Sequence, residues 1–332
     1  MEKSNARNHH YISQVEQRLN AIDRSVIQHN QRIYKFKIVD AENKLVALTD
    51  INGVKIEKNL AARDLYALRM LEGGGQQNLE AAFHQYENDI GLVTQSLLQK
   101  LQNPSEVDIK SEFLKLYLLK LMNSFRNPYS IRNTLNSLQA LKGVLPGNQA
   151  LANQFLKMDE GQRTQASRIC EQYEVTEEEY NDWLKAMCLL ILQPLDHGLN
   201  FLETLVKELM ENTSLVKDFT VFSYDVDLAD GGVLLCDRGI VLGNVDNNIR
   251  MEFFNLDSHN FVSFMFINYQ AQQIVPVPSR ALDAMKRYAE KTRVFNPRND
   301  LVMLETYNSH CVWQAAEHVY CSRSTAHGIN VS

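Results

Sequence analysis

A long tract covering residues 78–210 repeats apolar residues at helical spacing, and runs of β-branched and aromatic residues stand on both sides of it. Strand-forming segments at the two ends of a helical middle predict an α+β fold. In that fold the N-terminal and C-terminal segments share a mostly antiparallel sheet and the helical region lies between them in sequence. No internal repeat or low-complexity linker separates the parts, so 1–332 reads as a single intertwined unit. Its regions are an N-terminal helix and β-hairpin (1–72), a helical region (73–215) and a strand-rich C-terminal region closing with a helix (216–332).

At the N-terminus, Ile12, Val15, Leu19 and Ile22 recur at spacings of three and four, which predicts a helix over 9–21 with Asn8 as its cap. His10, Gln14 and Gln17 then form a polar stripe, and His9 falls about 100° away from it. Residues 33–39 and 45–49, joined by a turn-like 40–44, predict a hairpin. Asn52-Gly53 adds a turn before a short strand at 54–56.

Further on, Leu79, Phe83, Tyr86, Ile90, Val93 and Leu97 define one buried helical face. A second helix is expected over 111–125 with Ser111 as cap, stopped by "RNP" at 126–128, and a third over 129–141. Thr176 and Glu179 form a capping box that starts a helix running toward residue 210, broken near Pro194. The last helix is expected over 308–319.

Bulk composition narrows the function classes. With 45% hydrophobic and 22% charged residues the chain is made to fold, and a net charge of −6 argues against a dedicated duplex-DNA binder. The uninterrupted apolar stretch at 186–192 falls short of the roughly 18 residues a membrane span needs. The start of the chain lacks the apolar segment of a signal peptide, so no membrane partner and a cytoplasmic location are expected. Five scattered cysteines without a C-x-x-C pair speak for reduced, mostly buried thiols rather than a thiolate zinc site.

Several tracts invite a functional interpretation that their details weaken. Gly73-Gly74-Gly75 lacks the spacing and the Lys-Ser/Thr ending of a phosphate loop. Asp225, Asp227 and Asp230 could gather a divalent metal but lack the calcium-loop pattern, and "EEEY" at 177–180 suits the first turn of a helix. Arg126 and Asn127 read chiefly as a helix stop. Phe253, Phe254, Phe261, Phe264, Phe266 and Tyr269 read as core rather than as a base-stacking platform.

"HYISQ" at 10–14, preceded by Asn8-His9, together with "RIYKFKI" at 32–38, "LLCDRGIVL" at 234–242 and "YNSHCVWQAAEHVYCS" at 307–322, resembles the domain of unknown function 4238 family, an uncharacterised group widespread in bacteria. The chain departs from the family pattern in carrying Ser13 where proline is common, and Asp237-Arg238-Gly239 where the family has an Asp-x-Pro turn. The resemblance implies a bacterial setting, such as defence or toxin action, and brings no established activity.

The leading functional expectation is a metal-dependent hydrolase or nuclease acting on nucleic acid or nucleotide phosphates. His10 would be general base or metal ligand, Asp237 a metal ligand or orienting carboxylate, with Gln14 and Asn308 positioning substrate and Mg²⁺ or Mn²⁺ as cofactor. His9, His310 and His318 stand near these residues in sequence. The rival from another class is a non-catalytic sensor or protein-interaction module, with a protein partner seated on the helical middle.

Overall fold

Strand formation begins earlier than the helical spacing of the N-terminus predicts. Asn8–His10 is a strand (β1) paired antiparallel with Ala61–Arg63, His9 opposite Ala62 and His10 opposite Ala61. The helix predicted over 9–21 shrinks to Gln14–Leu19 (α1), because backbone pairing with a distant segment outweighs a weak local preference. The structure is a computed structural model that describes residues 7–69, 76–102, 109–160, 165–195, 198–225, 232–243, 248–269, 279–289 and 293–332. The glycine run at 73–75, Asp227 and Asp230 lie outside the described residues.

After α1 come β2 (Arg32–Asp40), β3 (Leu45–Leu48), β4 (Val54–Lys55), β5 (Ala61–Arg63), β6 (Ala67–Arg69) and β7 (Gln76–Asn78). The helical tract follows as α2 (Glu80–Glu87), α3 (Ile90–Gln102), α4 (Lys110–Arg126), α5 (Ile131–Ser137), α6 (Gln149–Glu160), α7 (Ala166–Tyr173), α8 (Glu177–Leu192) and α9 (Phe201–Glu211). Then come β8 (Leu215–Ser223), β9 (Leu235–Cys236), β10 (Ile240–Leu242), β11 (Ile249–Asp257), β12 (Asn260–Asn268) and α10 (Ser279–Ala289). The last elements are β13 (Arg293–Phe295), α11 (Leu301–Gln314), β14 (His318–Cys321) and β15 (Asn330–Val331). With about 46% helix and 24% strand, and the two largely segregated along the chain, the fold is α+β.

The chain gathers into two compact units. The first takes Met1–Val15, Lys58–Lys100 and Glu106–Lys207, and is mainly helical. Trp183, Tyr180, Tyr66, Phe83 and Leu116 are buried in it, and the polar atoms of the first three are satisfied by backbone. The Trp183 indole N–H donates to Phe125 O at 2.7 Å, Tyr66 Oη to Arg126 O at 2.7 Å, and Tyr180 Oη to Leu65 O at 2.6 Å. Two of these bonds cap orphan carbonyls at the C-terminal end of α4. The expected capping box opens α8: Glu179 N–H donates to Thr176 Oγ1 at 3.1 Å, and Thr176 N–H to Glu179 Oε2 at 2.8 Å. Helix α4 is capped from Ile109 rather than Ser111, and it stops at Asn127, whose Oδ1 accepts the Tyr129 N–H at 3.0 Å.

The second unit takes Glu16–Glu57, Leu101–Ser105 and Glu208–Ser332. One sheet runs β10-β11-β12-β8-β13, antiparallel except for the parallel β8–β13 pair. The other runs β15-β3-β2-β14-β9, with β4 also on β2. N-terminal and C-terminal segments therefore do share a sheet, Phe36 opposite Val319 and Val46 opposite Val331. The core is aromatic, with Phe261 stacked on Tyr307 at 4.2 Å and on Phe222 at 4.8 Å. The chain does not close with a helix: α11 ends at Gln314, and the expected helical continuation to 319 is replaced by β14. Val319 and Tyr320 pair with β2 and β9, which removes His318 from any helical relation to His310. Each unit holds one of the two tryptophans, Trp183 buried in the first and Trp313 about half exposed (51%) in the second.

Candidate functional site

His10 is the best-placed of the sequence-derived residues. Its Nδ1 lies 3.1 Å from Asn59 O, and its Nε2 lies 2.8 Å from Gln14 Nε2. A carbonyl only accepts, so Nδ1 carries the proton, and the Gln14 amide then donates to the basic Nε2 of a neutral ring. Gln14 thus does meet His10, at the strand-to-helix junction rather than along one helical stripe. His9 serves the packing of the unit instead, since its Nδ1 accepts the Tyr66 N–H at 2.8 Å and its ring stacks on the Tyr66 ring at 5.5 Å.

Around this strand the first unit assembles charges that sequence reasoning missed. The His10 N–H donates to Glu80 Oε1 at 3.4 Å, from the first turn of α2. At the end of α4, Arg126 is fully buried; its Nη2 donates to Glu87 Oε1 at 2.5 Å and its Nε to Tyr11 O at 3.3 Å, and it lies 4.9 Å over the Phe83 ring. Arg126 Nη1 is buried and meets no hydrogen-bond acceptor among the described residues. His84 Nδ1 sits 3.2 Å from Glu87 Oε2, with a side chain 59% exposed.

The two carboxyls are driven apart. Burial pushes Glu80 up to about 7, against the pull of Arg126. Glu87 also pays a burial penalty, but Arg126 and His84 more than offset it and hold the carboxyl at about 2. The hydrogen bond from His84 to Glu87 raises the imidazole in turn. The signal for this cluster was present as Glu80, His84 and Glu87 at helical spacing, but nothing local pairs them with an arginine far along the chain.

The residues expected from the second unit are bound to backbone. Asp237 Oδ1 accepts the Ala316 N–H at 2.9 Å, and its Oδ2 those of Glu317 at 2.8 Å and His318 at 2.9 Å. That carboxylate holds the turn between α11 and β14. Burial still raises its pKa in spite of the three donors. Asn308 accepts the Leu234 N–H at 3.1 Å and donates to His327 O at 3.1 Å and Gly232 O at 3.4 Å, which pins the approach to β9. Asp225 is exposed and bound by Arg298 and Asn299. His310 is half-buried against Phe253 and Trp313, and burial lowers its pKa.

Among the described residues, no group of three or more His, Cys, Asp and Glu side chains is arranged to hold a metal ion. The first unit also carries a groove of about 770 Å³ between α5, α6 and α8, floored by Leu138, Phe155 and Ala186. Its rim carries the ion pairs Arg132–Glu179 and Lys142–Asp182. No described helix is long and apolar enough to cross a membrane. No protein-family model, curated protein or solved structure matches the chain.

Proposed function

We propose that the protein is an acid–base enzyme of the hydrolase class, acting on nucleic acid or nucleotide phosphates, with its chemistry centred on His10. The observation that carries the proposal is one imidazole whose Nδ1 is held by the Asn59 carbonyl and whose basic Nε2 faces the Gln14 amide, on a residue whose backbone N–H meets a carboxyl near neutrality. His10 would take a proton through Nε2, once substrate displaces the Gln14 amide, which in turn would position it. Glu80 acts through the His10 backbone as a positioning group, and Arg126, paired with Glu87, holds the neighbouring Tyr11 carbonyl in place. On the residues quoted above we further propose membership of the domain of unknown function 4238 family, and with it a cytoplasmic, bacterial setting of defence or toxin action.

The test incubates purified protein with single- and double-stranded nucleic acids and with nucleotides, in Mg²⁺, Mn²⁺ or EDTA, for wild type, His10→Ala and Asp237→Ala. His10→Ala is expected to lose roughly 10²-fold or more of turnover with its near-ultraviolet circular dichroism intact. Equal turnover in wild type and His10→Ala would sink the assignment, and loss in the presence of EDTA would show that turnover needs a divalent metal. The groove between α5, α6 and α8, with Leu145 60% and Leu156 54% exposed at its rim, favours a second function, a non-catalytic module that seats a protein partner. Complete absence of turnover with every substrate would favour that function.

A further inference from the structure

Strand β5 is bracketed by two residues that are not glycine yet have left-handed backbone, Leu60 at φ +49° and Asp64 at φ +56°. Both ends of the β1–β5 pairing hang on them: the Tyr11 N–H donates to Leu60 O at 3.0 Å, and the Asp64 N–H to Arg7 O at 2.7 Å. A left-handed leucine is costly because its Cβ crowds the following carbonyl, and it persists only where its surroundings enforce it. Leu60 is buried, at 3% exposure. What the strained residue does to the peptide before it follows from strand geometry. Along an antiparallel strand, the N–H and C=O of one residue face one neighbour and those of the next residue face away. Since Leu60 turns its carbonyl to β1, the Asn59 carbonyl of a regular strand would face away from β1. Between the φ of about −140° usual for such a strand and +49°, the Asn59–Leu60 peptide turns by roughly half a revolution. Asn59 O then arrives 3.1 Å from His10 Nδ1.

We propose that Leu60 is a positioning residue for His10: its left-handed backbone delivers the Asn59 carbonyl to Nδ1 and so fixes the ring in the tautomer that leaves Nε2 as the base. The partner on the other side of the ring cannot make that choice. Gln14 carries a donor and an acceptor on one amide and can turn over to present either to Nε2, whereas the Asn59 carbonyl only accepts. The Gln14 amide therefore follows the tautomer, and the Asn59 peptide sets it. As a contribution to turnover the assignment rests on the acid–base function proposed above, but the tautomer is fixed without substrate.

The full chain, labelled with ¹⁵N in its histidine rings and held at about pH 8, where an imidazole is neutral, reports which nitrogen of His10 carries the proton. Wild type is expected to show Nδ1–H alone. Leu60→Ile keeps the apolar volume but, being β-branched, resists a positive φ. It is expected to lose the single Nδ1–H tautomer and to lower kcat roughly tenfold or more with KM little changed. Leu60→Val asks the same question with less bulk should the isoleucine variant fail to fold. Leu60→Gly removes the whole side chain yet enters the left-handed region freely, and is expected to keep the tautomer and most of the turnover despite the larger loss of packing. A residue that served packing alone would give the opposite order, with glycine the more damaging. A proton on Nε2 in wild type, Nδ1–H retained in the β-branched variants, or Nδ1–H lost in Leu60→Gly would each overturn the proposal. Turnover that ignores Leu60→Ile while His10→Ala abolishes it refutes the positioning role alone. A tautomer that follows Leu60 as expected, with no turnover in any chain, upholds that role and refutes only the catalytic function.

Discussion

Arg126 and Asp237 show how differently a buried charge can be held. Arg126 has its one ion pair with Glu87, so Glu87→Gln strips that partner from a cation at 0% exposure and is expected to cost about 3–5 kcal/mol in urea unfolding monitored by Trp183. Asp237 is held by three amides instead, and Asp237→Ala leaves all three without an acceptor. We expect a loss of about 3 kcal/mol in the same measurement, with His10-dependent turnover retained wherever the variant is folded. His10 and Gln14 do meet, although the helical spacing that linked them in the sequence is not the cause, since His10 lies in β1; the break at Arg126 was legible. The ion pair Arg126–Glu87 was not, because it joins two helices whose apposition only the packed unit determines. Asp237 was singled out as a carboxylate able to bind a metal or orient a base, and Asn308 as an amide able to position substrate; in the structure both bond backbone groups.

Elements written in local chemistry formed where the sequence put them. The capping box at Thr176 begins α8, the 40–44 turn joins β2 to β3, and proline and asparagine end α4. Thr176→Ala should lower the unfolding free energy by about 1 kcal/mol, read from the urea midpoint at constant m-value. The two misread elements, β1 and β14, are only three and four residues long. β1, Asn8-His9-His10, carries no apolar alternation of its own and β14 is too short to show one, and each takes its conformation from a partner strand far along the chain, β5 for one and β2 for the other. Period alone cannot separate the two states over so few residues.

At the scale of the whole molecule the two units should answer pH in opposite directions. In the first, Glu80 is raised to about 7 and His84 is raised as well. Both contribute stability that is present in mild acid and lost as pH rises through neutrality. In the second, His318 is lowered to about 4 by burial and by Lys35, and His259 and His310 are lowered too. Their contribution is present above about 6.5 and lost as pH falls toward 4; the raised Asp237 opposes it only over a lower window. Fluorine-labelled tryptophan gives one resonance per unit, so urea titrations at pH 5 and pH 8 should move the Trp183 midpoint down and the Trp313 midpoint up as pH increases. Parallel movement of the two would contradict the assignment of these groups.

The shared sheet also sets a clock. Strand β2 (Arg32–Asp40) is synthesised well before its neighbour β14 (His318–Cys321), and at about 5–20 residues per second the wait between them amounts to tens of seconds. In the later part of that interval the residues of the first unit are complete, while the β2–β3 hairpin still presents an open, partly apolar edge. Nascent chains of this protein are therefore expected to need shielding at residues 32–48 long after their helical part has become protease-resistant.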